Sequence, residues 1–417
     1  MLYQFEFRTY QRKFKRPLRT SHGIWDIRSG IILRLFGENN QIGWGEIAPL
    51  SWFGSESFEQ ALDFCNSLSG NISSEMIFAI SGELPACQFG FESALSNSRS
   101  PLNKGGHGGT APTKGGTRNI LKVPLIKGDL GGSRLRLKST LIAGSVLRSH
   151  QSRKGGRNIL KVPLIKGDLG GSRLRLKWTL IAGSVLRSHQ SKEVGNEEEK
   201  NRFSGLLPAG ETALQVLQVL WLEGYRTFKW KIGVAAIEQE LNIFQQLIEA
   251  MHNLCDRESA FLRLDANGGL SYSQAKTWLE ACDKVKATPD FSADIEFLEQ
   301  PLPVTQFQEM VELNAIYATP IALDESAANL DRIQECYSQG WRGIFVIKPA
   351  ICGSPSQLRK FCQTHNIDAV FSSVFETEIG RQAALNFATQ LSLNKRALGF
   401  GTDSWFDDNH SILDFRF

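Results

Sequence analysis

The sequence predicts an α/β protein: a parallel (β/α) barrel preceded by a smaller N-terminal α+β capping domain. Two observations carry this. The first is a series of short apolar segments, each ending in a charged residue: Thr227-Phe228-Lys229-Trp230-Lys231, Phe261-Leu262-Arg263-Leu264-Asp265, Ile295-Glu296-Phe297-Leu298-Glu299, Pro320-Ile321-Ala322-Leu323-Asp324 and Ile344-Phe345-Val346-Ile347-Lys348. From Lys231 to Asp265, Glu299, Asp324 and Lys348 the steps are 34, 34, 25 and 24 residues, the length of one strand, one helix and their loops. Strands that alternate with helices pair in parallel, because parallel neighbours need a crossover. The second observation is that residues 1–98 read as strands first and helices afterwards, the order of a separate α+β unit.

Taken in order, residues 1–48 form a meander. Ile31, Ile32, Leu33 and Leu35 make an apolar run, 37–40 a turn, and 41–46 the next strand. Ser55 can cap a helix carrying Phe58, Ala61, Leu62, Cys65 and Leu68 on one face, and a second helix covers about 87–95. Residues 203–400 resume regular structure. A first barrel strand falls at 205–209, with helices at about 212–223, 236–251, 271–285, 306–316, 330–339 and 355–365. Further strands fall at 369–372 and 397–400, and 401–417 is read as a terminal segment packing on the cap.

Between the two domains, residues 118–152 and 157–191 carry the same text apart from Ser139 against Trp178. Solenoid repeats diverge and keep only a framework, so near-identity points to a recent duplication. From 101 to 192 there are 19 Lys and Arg against Asp129 and Asp168, a net of +17 within a chain of net +4, so the remainder is acidic at −13. Residues 99–202 are therefore expected to be a disordered surface insertion with Gly-rich flanks. The competing readings are a basic segment touching nucleic acid or anionic membrane, or a folded repeat module. Lys114 among glycines does not make a phosphate-binding loop, because the required order of residues is missing.

The N-terminal residues alternate like a strand and lack an apolar signal region, and no apolar run reaches bilayer length. Seven cysteines are scattered without CxxC pairs or zinc spacing, which fits reduced thiols in the cytoplasm. No specific nucleic-acid partner and no membrane span are expected, and nothing in the pattern fixes an oligomeric state.

The chemistry follows from strand geometry. Barrel enzymes place their sites at the C-terminal strand ends, so Lys231, Asp265, Glu299, Asp324 and Lys348 converge on one mouth. Side chains two apart share a face, so Lys229 and Arg263 point the same way as Lys231 and Asp265. One strand-end carboxylate alone is usually a helix cap or an ion pair. Three on consecutive strands repel unless a cation joins them. Oxygen-only ligation favours Mg²⁺, with Mn²⁺ as a substitute, over zinc. Two lysines on opposite sides of a dication suit proton abstraction beside a substrate carboxylate, with the resulting enediolate stabilised by the metal.

Lys229-Trp230-Lys231, Leu264-Asp265-Ala266-Asn267, Leu298-Glu299-Gln300-Pro301, Leu323-Asp324-Glu325-Ser326 and Val346-Ile347-Lys348-Pro349 resemble the muconate-lactonizing branch of the enolase superfamily. Ser21-His22-Gly23, Gly43-Trp44-Gly45-Glu46, Phe89-Gly90-Phe91-Glu92 and Ser372-Ser373-Val374-Phe375-Glu376 are similar to its o-succinylbenzoate synthase family in particular. The resemblance covers nearly everything outside about 98–202. It implies dehydration of 2-succinyl-6-hydroxy-2,4-cyclohexadiene-1-carboxylate to 2-succinylbenzoate in menaquinone and phylloquinone biosynthesis. Asp265, Glu299 and Asp324 would hold Mg²⁺. Lys231 would act as base and then acid, Lys348 would stabilise the enediolate across the ring, and Lys229 would assist at the bound carboxylate. Substrate contacts would come from Arg263, Asn267, Ser372, Ser373 and Ser21, with loops at 21–25 and 50–54 closing over the mouth.

Racemases and epimerases of the same branch share the two opposed lysines. Residues 399–406 lack the Asp-x-Asp of dipeptide epimerases, whereas an N-succinylamino-acid racemase remains compatible. A reading from another class is a non-catalytic anion-binding protein that uses the basic insertion.

Overall fold

The computed structural model describes residues 1–20, 23–37, 41–68, 70–98, 200–255, 259–289, 291–402 and 405–406. The expected insertion, up to residue 199, lies outside these residues, as do Ser21 and most of 401–417.

Strands β1 (Leu2–Thr20) and β2 (Gly23–Phe36) form a long antiparallel hairpin. β3 (Ile42–Ile47) pairs with β2 and β4 (Asn71–Ser73) with β1, giving the order β3-β2-β1-β4. The apolar run in β2 is continuous because both faces of the sheet are covered. Ile31, Leu33 and Leu35 join the main core with Phe89 and Phe91. Ile32, on the other face, packs with Tyr10 and with Ile379 of a barrel helix. Three helices follow: α1 (Phe58–Ser67), α2 (Ser74–Phe78) and α3 (Pro85–Ser98). The cap of α1 is Ser57, in a reciprocal box with Gln60, and not Ser55, whose hydroxyl instead accepts from the Leu50 amide at 2.6 Å. α3 crosses β3 at glycines: a Cβ on Gly45 would stand 2.1 Å from the Gly90 carbonyl oxygen.

The second part is a single parallel sheet, in chain order from β5 (Ser204–Leu207) through β6 (Thr227–Lys231), β7 (Ala260–Asp265), β8 (Ala293–Glu299), β9 (Ile321–Leu323) and β10 (Ile344–Ile347) to β11 (Ala369–Phe371). Residues 397–400 close it as an eighth strand. Leu398 bridges Phe203 and Gly399 bridges Ser372. The Ser204 amide donates to the Leu398 carbonyl at 2.9 Å and the Gly399 amide to that of Phe371 at 2.8 Å. Arg202 already takes part, accepting from the Leu398 amide, so the barrel begins before residue 203.

The intervening helices are α4 (Thr212–Leu222), α5 (Ile237–Leu254), α6 (Tyr272–Lys286), α7 (Phe307–Ile316), α8 (Leu330–Ser338), α9 (Pro349–Cys352), α10 (Pro355–His365) and α11 (Glu378–Leu391). α9 and α11 lie outside the helices expected from the sequence. Outward residues of the strands meet these helices: Trp230 packs edge-on against Trp278, which does the same to Phe244. Inward residues form layers. Beneath the mouth, Phe297, Ala322, Val346 and Val370 fill the barrel together with Ile344.

Two buried glutamates fasten the cap to barrel helices. Glu46 of β3 accepts from the Thr377 and Gly380 amides at the start of α11, from the Thr377 hydroxyl, and from the Tyr10 hydroxyl at 2.5 Å. Glu92 of α3 accepts from the Ser354 hydroxyl and the Ser356 amide at the start of α10. Both carboxylates satisfy amides that a helix start leaves without partners and sit at the positive end of its dipole. Among the described residues no helix is long and apolar enough to cross a membrane.

Candidate active site

Strand register sets the site. Lys231 pairs with Asp265, Asp265 with Glu299 and Glu299 with Ala322, so three charged ends lie level and Asp324 stands two residues further along. Lys348 directly follows β10.

The lysines are engaged differently. Lys229 Nζ lies 2.9 Å from Asp265 Oδ2 and 2.7 Å from Glu299 Oε1. Burial alone would lower its pKa, but Asp265, Glu299 and Asp324 together raise it above its ordinary value. Lys348 Nζ is ion-paired with Asp324, and its ammonium sits 3.8 Å from the ring centroid of Phe53, which the cap contributes. Lys231 is half-buried, and its ammonium makes neither hydrogen bond nor ion pair with any described residue.

Glu299 is pushed up to about 8, by burial first. Lys229 opposes that rise, and the charges of Asp265 and Asp324 add to it. Among the described residues no three His, Cys, Asp or Glu side chains form a ready cage for an ion, because the acids turn toward the lysine ammonium groups. Asp265 and Glu299 nevertheless hold oxygens within hydrogen-bond reach of one nitrogen, and Asp324 ends the adjacent strand. Three hard oxygen donors on adjacent strand ends fit a divalent cation of the Mg²⁺ type.

Other expected site residues divide. Asn267, left-handed at φ 45°, donates its amide to Asp265 Oδ1 and its Nδ2 to Glu325 Oε1, both at 3.1 Å. Ser372 is half-buried at the mouth, its hydroxyl 3.4 Å from the Gly399 carbonyl. Arg263 must be reassigned. Its Nε meets Glu296 at 2.7 Å, its Nη2 donates to the Ala397 carbonyl at 2.8 Å, and Glu296 continues to Arg396 and Asp368. That part-buried network ties the eighth strand to the sheet and engages Arg263 through Nε and Nη2 a layer below the mouth. Ser373 is also reassigned. It is buried, donating to Glu376 and accepting from the Phe375 amide, both at 2.9 Å.

Three residues emerge from the structure alone. Gln300 follows Glu299 and crosses to the Asp324 loop. Glu325 is pushed up to about 7 by burial and the neighbouring Asp324 and Asp265, and its Oε2 is buried with no hydrogen-bond partner among the described residues. Gln300 and Glu325 stood inside quoted motifs, where a second polar residue beside a ligand was the available signal. Phe53 gave no signal, because only the fold brings it to Lys348. Around it Phe14, Trp25, Trp52, Phe375, Trp405 and Phe406 make a chain of edge-on and tilted rings. Phe375 is held at φ 62° within it.

Residues 211–415 match the family described as Enolase C-terminal domain-like, and residues 10–98 the one described as MenC, N-terminal domain. The o-succinylbenzoate synthase of Thermosynechococcus vestitus is 30% identical over 96% of this chain and 93% of its own. The chain belongs to the o-succinylbenzoate synthase family of the enolase superfamily. A crystal structure of o-succinylbenzoate synthase from Thermosynechococcus elongatus BP-1, complexed with Mg in the active site, superposes with a TM-score of 0.66 at 28% identity. It covers 97% of this chain and 94% of that one. An N-succinylamino acid racemase of Thermus thermophilus is 25% identical, over 44% of this chain and 46% of its own. Muconate lactonizing enzyme from Pseudomonas putida, 17% identical with a TM-score of 0.55 over 98% of this chain and 90% of that one, shares the fold. The protein is thus an enzyme of the o-succinylbenzoate synthase type, with a capped barrel.

Proposed function

We propose that this chain dehydrates 2-succinyl-6-hydroxy-2,4-cyclohexadiene-1-carboxylate to 2-succinylbenzoate, a carbon–oxygen lyase reaction of menaquinone and phylloquinone biosynthesis. The observation that carries the mechanism is the unequal engagement of the lysines: Lys229 and Lys348 are paired with carboxylates, and Lys231 is not. Lys231 Nζ takes the proton α to the substrate carboxylate, and the C–H electron pair moves into the carboxylate as an enediolate. The ammonium of Lys348, held by Asp324 and Phe53, faces that charge from across the ring. The C–O bond then breaks, the departing hydroxide takes the proton from Lys231 and leaves as water, and the ring becomes aromatic. Asp265, Glu299 and Asp324 would hold Mg²⁺, whose Lewis acidity polarises the substrate carboxylate. Lys229 keeps two of these acids together, Ser372 and Asn267 line the mouth, and the ring cluster from cap and barrel excludes water from it. Ser21, outside the described residues, keeps the substrate-contact role that family resemblance implies. All seven cysteines are free, which supports a reducing, cytoplasmic setting.

The test is turnover of the cyclohexadiene substrate with added Mg²⁺, followed by the ultraviolet signal of the aromatic product. EDTA is expected to abolish it, and Lys231→Ala to lower it by about 10²–10⁴-fold. Deuterium exchange at the α-carbon of N-succinylamino acids without dehydration would replace this reading with a racemase. Turnover retained after removal of residues 101–192 would eliminate the anion-binding reading.

A further inference from the structure

Gln300 is fully buried and is held at φ 37°, a left-handed conformation that costs a side-chain-bearing residue energy. The strain is matched by hydrogen bonds in every direction. Its Oε1 accepts from the Asp324 amide at 3.0 Å and the Ser326 amide at 3.1 Å. Its Nε2 donates to the Ser326 hydroxyl at 2.8 Å and the Leu302 carbonyl at 3.0 Å. Its own amide donates to the Ala322 carbonyl at 2.8 Å, and its carbonyl accepts from the Gly268 amide at 2.7 Å. Gly268 lies in the loop that follows Asp265, Gln300 is joined covalently to Glu299, and Asp324 is held through its backbone. One residue therefore links all three strand ends that carry the acids.

We propose that Gln300 is the positioning residue that sets the spacing of Asp265, Glu299 and Asp324, and so the affinity and size preference of the cation site. This rests on the metal reading above. A carboxamide suits the task because it donates and accepts at once without adding a charge among three carboxylates. No other side chain of this size meets two backbone donors, a hydroxyl and a carbonyl while staying neutral.

The test is direct titration of full-length protein with Mn²⁺, Mg²⁺ and Ca²⁺ by calorimetry, with no substrate present. Gln300→Met keeps the volume and removes every side-chain hydrogen bond. It is expected to weaken Mn²⁺ and Mg²⁺ binding by about 10–100-fold, the usual effect of losing an outer-shell partner. Because Mg²⁺ demands near-ideal octahedral geometry and Ca²⁺ tolerates looser cages, the Mg²⁺ affinity should fall further than the Ca²⁺ affinity. A purely structural role would leave that ratio unchanged. Gln300→Glu restores an acceptor for the Asp324 and Ser326 amides and is expected to recover part of the preference for Mg²⁺. Wild-type affinity in Gln300→Met, or an equal loss for all three ions, overturns the proposal. A wild-type chain that takes up no Mn²⁺ sinks the metal reading itself, and the proposal with it.

Discussion

Replacing Glu46 by Ala tests whether cap and barrel act as one body. Glu46 has no exposed surface, and the substitution strands the Thr377 and Gly380 amides, the Thr377 hydroxyl and the Tyr10 hydroxyl. Each hydrogen bond to a charged acceptor contributes about 1.5–3 kcal/mol, while returning the carboxylate to water recovers part of the total. The net loss should resemble that of breaking a buried ion pair, about 3–5 kcal/mol, a large share of the roughly 5–15 kcal/mol typical of a folded protein. Urea unfolding followed by tryptophan fluorescence measures it. A loss below about 1 kcal/mol would refute the claim that this carboxylate fastens the two parts. A second variant sharpens the test. A Cβ on Gly380 would lie 2.8 Å from Glu46 Oε2, so Gly380→Ala should destabilise the wild type. In the Glu46→Ala background it should cost less, with a coupling of about 0.5–3 kcal/mol between the two sites.

Two further outcomes concern the floor of the barrel. Arg263→Met leaves Glu296 with one cationic partner, and should lower stability by about 3–5 kcal/mol while the KM of surviving enzyme stays unchanged; a raised KM would return Arg263 to the substrate. Burial raises the carboxyl of Asp368, but the hydrogen bond and charge of Arg396 outweigh it and hold the group below its ordinary value of 3.8. A carboxyl lowered on folding adds stability above its unfolded value and loses it as pH falls through the folded one. The stability difference between wild type and Asp368→Asn should therefore be constant at neutral pH and begin to shrink only below about pH 4, continuing as pH falls through the lowered folded value, as read from urea midpoints across that range.

The misplacement of Arg263 shows what strand periodicity can and cannot tell. Alternation of side chains identifies which residues face the barrel interior, and by that rule Lys229, Lys231, Arg263, Asp265, Glu299, Asp324 and Lys348 fall on one side, as found. It carries no information about depth. Two residues along a strand amount to roughly 6–7 Å, so Arg263 lies a layer below Asp265, level with Lys229. The flexible lysine reaches upward to the acids. The arginine instead finds Glu296, which the register places opposite no residue of β7, because Leu262 pairs with Ile295 and Arg263 with Phe297. That irregularity supplies a carboxylate at a level where alternation predicts none, and no local pattern in the sequence announces it. Ser373 differs from the strand pattern for a similar reason: it follows the last paired residue of its strand, where a turn closed by Glu376 takes over from the pleat.

What sequence could not supply, then, is everything that depends on a second segment arriving. Phe53 against Lys348, Glu46 on α11 and Gln300 on the Asp324 loop each join residues distant in the chain. They share one physical feature: a buried polar or cationic group is satisfied only by the partner that folding delivers. The charged strand ends were legible because apolar strands rarely end in a charge without cause. Their partners were not, because a glutamate in a cap strand reads as surface until the helix start it neutralises is placed against it. The site is therefore set at two levels. Local pattern selects the reacting groups, and long-range hydrogen bonds through Glu46, Glu92 and Gln300 fix their spacing. Substitutions at the second level should change affinity and stability before they change the chemistry.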